Sequence, residues 1–289
     1  MDDGALAMHT WSAPAKLNLF LHITGRRPDG YHLLQTVFQF LDYADQLTFN
    51  ITDNGKVMQM IPLSGIDEGD DLTVRAAILL QAETKTEKGV EIYLNKSIPV
   101  GAGLGGGSSD AATTLLVLNE LWGANLERTR LVELALQLGA DVPVFVAGHA
   151  AWAEGVGEIL TPIEPEERWY AVMVPPVQVS TQRVFEELGL TAYGPPSKIR
   201  DFHAGRVRND LEVVVCRCYP DVDRALQWLA QFGEARITGS GACVYLPVKD
   251  QGEGAQIVER RPEWLEGFVA RGVNRHPLSA MQYEHSVGV

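Results

Sequence analysis

The N-terminal part of the chain alternates between apolar and polar residues. In the segment Ala13–Thr24, with sequence APAKLNLFLHIT, every second residue is apolar, which predicts a half-buried β-strand. The opposite face of this strand carries Lys16, Asn18, Phe20 and His22. The segment GRRPDGYH then has proline and glycine where a β-turn needs them, and LLQTVFQFLDY and DQLTFNIT are predicted as two further strands.

Helical and strand patterns follow each other along the rest of the chain, without an internal repeat. DDLTVRAAILLQAET is predicted as a helix, GVEIYLNKSI as a strand, and a helix near Leu131 ends at Gly139. Further on, WYAVMVPP is a predicted strand, Ser180 opens a short helix, and TGSG separates two short strands within 236–247. The chain is therefore predicted to be α+β. The charged segment EPEER predicts a boundary between domains 1–163 and 164–289.

Composition narrows the function classes. The chain of 289 residues has a formal net charge of −13, which argues against a general nucleic-acid-binding protein. No apolar run reaches the length of a membrane helix, and the N-terminus lacks a leader pattern, so no membrane or targeting segment is expected. Cys216, Cys218 and Cys243 have no disulfide spacing, which indicates a reducing, cytoplasmic location. The Cys-x-Cys pair lacks the second pair that a structural metal site needs.

The glycine-rich stretch PVGAGLGGGSSDAAT is the most informative segment. Gly101, Gly103 and Gly106 match the dinucleotide fingerprint literally, but the following helix leads into another helix rather than a strand that ends in an acidic residue. A Walker A loop requires Gly-Lys-Ser/Thr, whereas Gly107 is followed by two serines. Both nucleotide motifs are therefore rejected.

The physical reasons for anion binding remain. Glycines allow a backbone to approach a phosphate closely, and the start of a helix offers free N–H groups and a partial positive charge. A flexible loop before a helix of residues 108–122, capped by its serines, is the alternative. A phosphate site is favoured because consecutive glycines before a cap cost chain entropy. Its predicted residues are Pro99, Val100, Gly101, Ala102, Gly103, Leu104, Gly105, Gly106, Gly107, Ser108 and Ser109.

This stretch resembles the ATP-binding motif of the GHMP kinase superfamily. The segments PAKLNLFLHITGRRPDGYHLLQTVFQFLDYAD, LGADVPVFVAGHAAWAEGVGEIL and TGSGACVYL are similar to the kinases of cytidine diphosphate-linked polyols within that superfamily, over about Ala13 to Leu278. The resemblance implies transfer of a phosphoryl group from ATP to a hydroxyl of such a small-molecule substrate, in the non-mevalonate route to isoprenoid precursors. It also implies two α+β domains, a left-handed β-α-β unit in the first, a sandwich-like α/β second domain, and an active site in the cleft between them.

The resemblance also implies the catalytic residues. Lys16 is expected near the transferring phosphoryl group, where a cation stabilises negative charge, and Asp141 is expected to be the catalytic base and to pair with Lys16. A solvated strand face is the alternative for Lys16, and a helix N-cap is the alternative for Asp141, which stands two residues before Pro143.

The expected substrate site combines polar and aromatic residues. The resemblance places Asn18 in the active site, assigns Tyr31 and His32 to the cytosine, and makes Phe185 the ring that covers its other face. Packing within the hairpin is the alternative for Tyr31 and His32, and helix core is the alternative for Phe185. Thr181 either contacts the substrate or caps its helix.

The expected mechanism is direct in-line transfer with ATP as co-substrate and Mg²⁺ bridging phosphate oxygens, its protein ligands not assigned. The turn Gly239–Gly241 is expected near the phosphates and the substrate, while the role of Lys96, and of Asp71 where relatives often carry asparagine, is left open at the nucleotide. No nucleic acid, membrane or obligate protein partner is expected. Two alternatives stay open: another small-molecule GHMP kinase of the mevalonate or homoserine type, and a non-catalytic nucleotide-binding protein on the same scaffold.

Overall fold

In a computed structural model of the protein, which describes residues 9–63, 65, 67–188 and 196–280, two long antiparallel strands form the centre of the fold. Strand β1 spans Thr10–Arg26 and strand β2 spans His32–Thr52. The prediction of two strands in place of β2 is wrong. Ala44 and Asp45 lie in the ladder opposite Pro14 and Ala13, so the chain continues without a turn where no glycine or proline interrupts it.

Strand β1 is buried on both faces, so the prediction of a half-buried strand is also wrong. Lys16 and Asn18, on the face expected to be polar, are each only 3% exposed. Two loops cover this face: the N–H of Lys16 donates to the carbonyl of Leu104 at 2.9 Å, and the N–H of Asn18 donates to Thr238 Oγ1 at 2.9 Å. The alternation holds only over part of the strand, because the register with β2 shifts between Asn18 and Leu21, and it carried no information about loops from distant parts of the chain.

The first half of the chain continues after this strand pair with helices and further strands. After β2 it forms β3 (Val57–Gln59), a 3₁₀ turn (Glu68–Asp70), α1 (Leu72–Thr84), β4 (Gly89–Asn95), α2 (Gly106–Leu121), α3 (Arg128–Leu138), α4 (Val142–Ala147), β5 (Ala151–Glu154) and β6 (Ile159–Pro162).

The second half adds a smaller set of strands with helices on one side. Its elements are β7 (Trp169–Val174), α5 (Thr181–Glu187), α6 (Ile199–His203), α7 (Glu212–Cys218), α8 (Pro220–Leu229), β8 (Arg236–Ile237), β9 (Val244–Val248), α9 (Gln251–Glu259) and β10 (Glu266–Val273).

One ten-stranded sheet connects the two halves. Its main path runs β3-β4-β2-β10-β7-β9-β8, while β1 pairs with β2, and β5 pairs with β2 and β6. The pair β3–β4 is parallel, with α1 between its strands, which makes a β-α-β unit whose left-handed crossover stays a prediction. The predicted boundary at 163 and 164 falls between β6 and β7, and the division into 1–163 and 164–289 stays a prediction.

The hydrophobic core is divided into three clusters of buried residues. A large cluster packs α1, α2, α3 and α4 against β2 and β4, and a second packs α7, α8 and α9 against β7 and β9. Leu21 and Ile23, near the end of β1, belong to the second cluster, whereas Ala13, near its start, belongs to the first. The middle of β1, which carries Lys16 and Asn18, contributes its apolar residues to a third cluster, together with β7 and β9. In the part of the chain that the structure describes, no helix combines the length and apolarity needed to span a bilayer.

Candidate active site

The glycine-rich loop turns through left-handed backbone conformations and opens directly into α2. Gly101, Gly103 and Gly105 have φ of +70°, +79° and +72°, a region that residues with a Cβ rarely adopt. Gly105 is the N-cap and α2 begins at Gly106, two residues earlier than predicted. The predicted serine caps are therefore wrong, because a glycine holds the N-cap position and no side chain bonds to the helix start.

The start of α2 is open to a ligand. The first turn of a helix has N–H groups without a carbonyl partner inside the helix, and here these belong to Gly106, Gly107 and Ser108. They border a cavity of about 320 Å³, whose wall also includes Asp71, Leu72 and Lys96. Free N–H groups and the positive end of the helix suit this cavity for an anion.

A second, larger cavity of about 1020 Å³ adjoins the first, and both are lined by Gly101, Gly103 and Ser108. The larger cavity has Lys16, Asn18 and Asp141 at one end, and its wall also includes Tyr31, His32, Thr181 and Phe185. The structure therefore brings most of the residues expected to bind ATP and those expected to bind substrate around two adjoining cavities; Leu104 and Ser109 are fully buried and line neither.

Lys16 and Asp141 form an ion pair in the wall of the larger cavity. Lys16 Nζ lies 3.0 Å from Asp141 Oδ2; the Lys16 side chain is 3% exposed, and that of Asp141 is 36% exposed. Asp141 stands at the N-cap position of α4, but its side chain accepts no hydrogen bond from that helix. The geometry therefore argues against the capping alternative and leaves the carboxylate to the cavity and to Lys16.

The turn between β8 and β9 closes over the same place. Gly239 has φ of +57°, and a Cβ there would lie 2.9 Å from Asn18 Oδ1. The Thr181 and Ser240 hydroxyls lie 2.8 Å apart. Thr181 does not cap α5, because Ser180 Oγ accepts the N–H of Arg183 at 3.3 Å. The Thr181 hydroxyl therefore extends the polar wall that the turn provides.

Three aromatic residues form another part of the wall of the larger cavity. The His32 and Phe185 rings are stacked, with centroids 4.9 Å apart and planes inclined by 22°, and the neighbouring Tyr31 is 67% exposed. Phe185 also packs on the second core cluster, so the helix-core alternative describes one of its two faces. Burial and the nearby Arg26 guanidinium lower the pKa of His32, which favours the neutral imidazole with one donor and one acceptor.

Asp71 and Lys96, whose role at the nucleotide the sequence leaves open, both have protein partners. Asp71 caps α1, where its Oδ1 accepts the N–H of Thr73 at 2.8 Å. Lys96 stands just before the glycine loop. Its Nζ lies 2.5 Å from Asp45 on β2 and 2.7 Å from Asp110 on α2, so it links these two elements. Burial raises the pKa of Asp110 to about 8. Both Asp71 and Lys96 line the smaller cavity.

Sequence reasoning missed Asn209, which holds the β8–β9 turn in place. Its buried Nδ2 donates to the carbonyls of Ile237 and Gly239, at 3.0 and 2.7 Å. The neighbouring sequence RNDLE gives no sign of this, because the partners lie 28 and 30 residues away. Among the residues that the structure describes, no group of three or more His, Cys, Asp and Glu side chains is arranged to hold a metal ion.

Comparison with known proteins gives this site its context. Residues 71–149 match the family model "GHMP kinases N terminal domain", and residues 198–267 match "GHMP kinases C terminal". The fold and the two matches make the protein a two-domain α+β kinase of the GHMP class.

Individual relatives define the family more narrowly than these two family models do. The 4-diphosphocytidyl-2-C-methyl-D-erythritol kinase of Thiobacillus denitrificans is 54% identical over 266 residues, which cover 92% of this chain and 96% of the relative. A crystal structure of 4-(cytidine 5'-diphospho)-2C-methyl-D-erythritol kinase, 32% identical, covers 91% of this chain and 99% of its own with a TM-score of 0.81. The chain belongs to the family of 4-diphosphocytidyl-2-C-methyl-D-erythritol kinases.

A homoserine kinase from Cytophaga hutchinsonii shares the fold alone, at 15% identity and a TM-score of 0.67 over 96% of this chain and 97% of its own.

Proposed function

We propose that the protein transfers the γ-phosphoryl group of ATP to the 2-hydroxyl of 4-diphosphocytidyl-2-C-methyl-D-erythritol, giving the 2-phosphate and ADP in the non-mevalonate route to isoprenoid precursors. The observation that carries this proposal is the Lys16–Asp141 pair in the wall of the larger cavity, which aromatic rings also line and which shares Gly101, Gly103 and Ser108 with the smaller cavity at the start of α2. The family membership supports the identity of both substrates.

ATP occupies the smaller cavity in this proposal. Its phosphates lie against the free N–H groups of Gly106, Gly107 and Ser108, where the helix dipole and backbone donors balance their charge. Ser108 borders both cavities, so the terminal phosphate at this point faces the larger one. The nucleotide therefore approaches its acceptor from the glycine loop.

Asp141 accepts the proton of the attacking hydroxyl, and Lys16 stabilises the negative charge that develops on the transferring group. The ion pair supports both roles, because it keeps a carboxylate and an ammonium within 3.0 Å of each other at the edge of the cavity. The hydroxyl attacks phosphorus directly and ADP leaves on the opposite side, so no phosphorylated enzyme forms.

Tyr31, His32 and Phe185 bind the cytosine. Aromatic rings stack on the faces of a pyrimidine, and a neutral imidazole hydrogen-bonds to its edge. The His32–Phe185 stack, at 4.9 Å between centroids, leaves no gap for a base between these two rings. The base therefore stacks beside them, on the side where Tyr31 and the cavity lie.

Mg²⁺ accompanies the ATP in this proposal. Mg²⁺ prefers oxygen ligands and keeps few protein ligands when phosphates and water supply the rest. The Ser108 hydroxyl and the Asp141 carboxylate are oxygen donors on the wall of the larger cavity, and they fit such a set. The ion would offset phosphate charge.

Free thiols at Cys216, Cys218 and Cys243 support a cytoplasmic location.

ADP release by the purified protein, with Mg-ATP and the cytidine-linked substrate against a substrate-free control, tests the function. We expect release that depends on this substrate, and none with mevalonate or homoserine. ADP release with mevalonate or homoserine, but not with the cytidine-linked substrate, would show a kinase and reject the proposed cytidine site. Absence of release with all three, from folded protein that binds ATP, would favour the non-catalytic alternative.

The variant Phe185→Leu tests the cytosine site separately. Loss of base stacking is expected to raise KM for the cytidine substrate by about tenfold, with KM for ATP unchanged. Phe202→Leu removes a ring on α6 that lines neither cavity and serves as the control. Equal effects of the two variants on KM would reject the assignment of Phe185.

A further inference from the structure

The Thr36 hydroxyl lies at the end of a buried polar chain that leads to Lys16. Thr36 Oγ1 donates its single proton to the backbone carbonyl of Phe20, at 2.5 Å. Asn18 Nδ2 lies 2.9 Å from the same oxygen. Because the hydroxyl proton is committed to a carbonyl, Thr36 Oγ1 acts as the acceptor toward Asn18. This arrangement fixes the direction of both hydrogen bonds.

The direction of these bonds determines which end of the Asn18 amide faces Lys16. With Nδ2 turned to Thr36, Oδ1 points to Lys16 Nζ at 2.5 Å. A flipped amide would present N–H groups to an ammonium, which also carries only donors. The Thr36 hydroxyl therefore keeps an acceptor, rather than a donor, beside the Lys16 charge.

Lys16 has little freedom to take another position. Besides Asn18 and Asp141, its Nζ lies 5.2 Å from the centre of the Phe38 ring. Its aliphatic part passes so close to Gly105 that a Cβ there would lie 3.0 Å from Lys16 Cε. The ammonium is thus directed by its polar partners within a narrow passage.

A β-bulge explains why a side chain is needed at Thr36. Asn18 pairs with Phe38 and Leu21 pairs with Thr36, so Leu19 and Phe20 stand opposite Val37 alone. Such a bulge interrupts the regular ladder, and bulges often redirect side chains next to active sites. The Thr36 hydroxyl satisfies the Phe20 carbonyl at this interruption and in doing so becomes available to Asn18.

We propose that Thr36 is a positioning residue for phosphoryl transfer: its hydroxyl sets the orientation of the Asn18 amide and, through it, the position of the Lys16 ammonium. The inference rests on the proposed function, which makes Lys16 the group that stabilises the transferring phosphoryl. Thr36 belongs to the wall of the larger cavity but is fully buried, so in this proposal it acts on Lys16 through Asn18 and not by contact with either reacting group. Its effect is therefore on the rate of the chemical step rather than on the binding of either substrate.

The variant Thr36→Val tests the proposal, because it keeps the shape of the side chain and removes the hydroxyl. We expect kcat to fall by about 10- to 100-fold, as for a misplaced catalytic group, with KM for both substrates within about twofold of wild type. Thr36→Ser, which keeps the hydroxyl, is expected to restore kcat to within about threefold of wild type on the same reasoning. If Thr36→Val does not fold, Thr36→Cys takes its place, since a thiol is a much weaker hydrogen-bonding group.

Thr113→Val is the matched control. Thr113 is also fully buried, its hydroxyl has no hydrogen-bond partner in the part of the chain that the structure describes, and it lines neither cavity. We expect its kcat to be unchanged. A folded Thr36→Val or Thr36→Cys with wild-type kcat would overturn the proposal, as would a Thr36→Ser variant that is as slow as either. Failure of the proposed function is distinguishable, because the wild-type protein itself would then release no ADP with the cytidine substrate.

Discussion

At the residue scale, Asp141 separates catalysis from helix capping. Its side chain stands at a helix start and accepts no capping bond, so Asp141→Asn removes the basic carboxylate without removing a cap. We expect turnover to fall by about 10²- to 10⁴-fold. The midpoint of urea unfolding is expected to stay near that of wild type. Steady-state ADP release and urea unfolding measure the two effects.

Asp250→Asn is the control for this variant. Asp250 does cap α9, where its Oδ1 accepts the N–H of Glu253 at 2.9 Å, and it lines neither cavity. Asparagine caps a helix about as well as aspartate, so both turnover and stability are expected to remain unchanged. Wild-type turnover in Asp141→Asn would reject Asp141 as the base.

The sequence carries more about the reacting residues than about those that position them. Lys16 and Asp141 follow from motif resemblance, and the structure brings their charged groups to 3.0 Å. Thr36 and Asn209 do not follow, since each acts through a hydrogen bond to a residue that no local pattern connects with it. The contact between Asn18 and Thr238, for example, spans 220 residues.

At the element scale, the glycine loop and the β8–β9 turn are packed backbone against backbone. A Cβ on Gly103 would lie 2.5 Å from the carbonyl oxygen of Gly241 and 2.8 Å from that of Thr238. Gly103→Ala is therefore expected to separate the two loops, lower kcat by about 10- to 100-fold through misplacement, and destabilise the fold by about 1–3 kcal/mol beyond backbone strain.

Gly123→Ala isolates the strain. Gly123 has a similar φ of +68°, but a Cβ there would meet no atom within 4 Å. The free energy of unfolding of Gly123→Ala is expected to fall by about 1–2 kcal/mol, the cost of a left-handed alanine, and its turnover is expected to stay normal. Urea unfolding and ADP release compare the two variants. Equal stability and equal activity would show that the loop contact has no role.

The elements themselves were predictable where one segment carries its own pattern. The helix after Asp71 and the strand before the glycine loop lie at Leu72–Thr84 and Gly89–Asn95. The wrong predictions concern elements whose limits depend on distant strands or on backbone conformation. Strand β2 continues because β1 and β4 pair along its length, and α2 begins early because Gly105 takes the left-handed N-cap conformation. Neither partner strands nor backbone φ can be derived from local hydrophobicity.

At the scale of the whole molecule, His276 connects the C-terminal segment to the first core. Its ring packs edge-on against Phe40 and Phe145, and its Nδ1 accepts the N–H of Leu278 at 3.1 Å. Burial, with the nearby Arg128 charge, lowers the pKa of His276 to about 3 from the model-compound value of 6.5. The folded protein therefore holds this imidazole neutral at pH values where the unfolded chain protonates it.

This difference predicts acid sensitivity. Between pH 6.5 and 3 the unfolded state binds the additional proton, so the free energy of unfolding falls as the pH falls. From pH 6.5 to pH 5 the loss attributable to His276 is expected to be about 2 kcal/mol. Urea unfolding of wild type and His276→Asn at both pH values measures it, since the asparagine variant lacks this proton. Equal losses in the two proteins would contradict the prediction.

One edge of strand β1 stays without its partners until late in the synthesis of the chain. Beyond Asn18 its free edge is completed by residues made much later: the N–H of Leu21 donates to the carbonyl of Arg208, and the N–H of Ile23 donates to Asp210 Oδ2, 187 residues further on. At about 5–20 residues per second, a ribosome needs about 10–40 s to cover that distance. During this interval strand β1 presents an unpaired edge, which is the kind of surface that nascent chains use to aggregate and chaperones bind to protect.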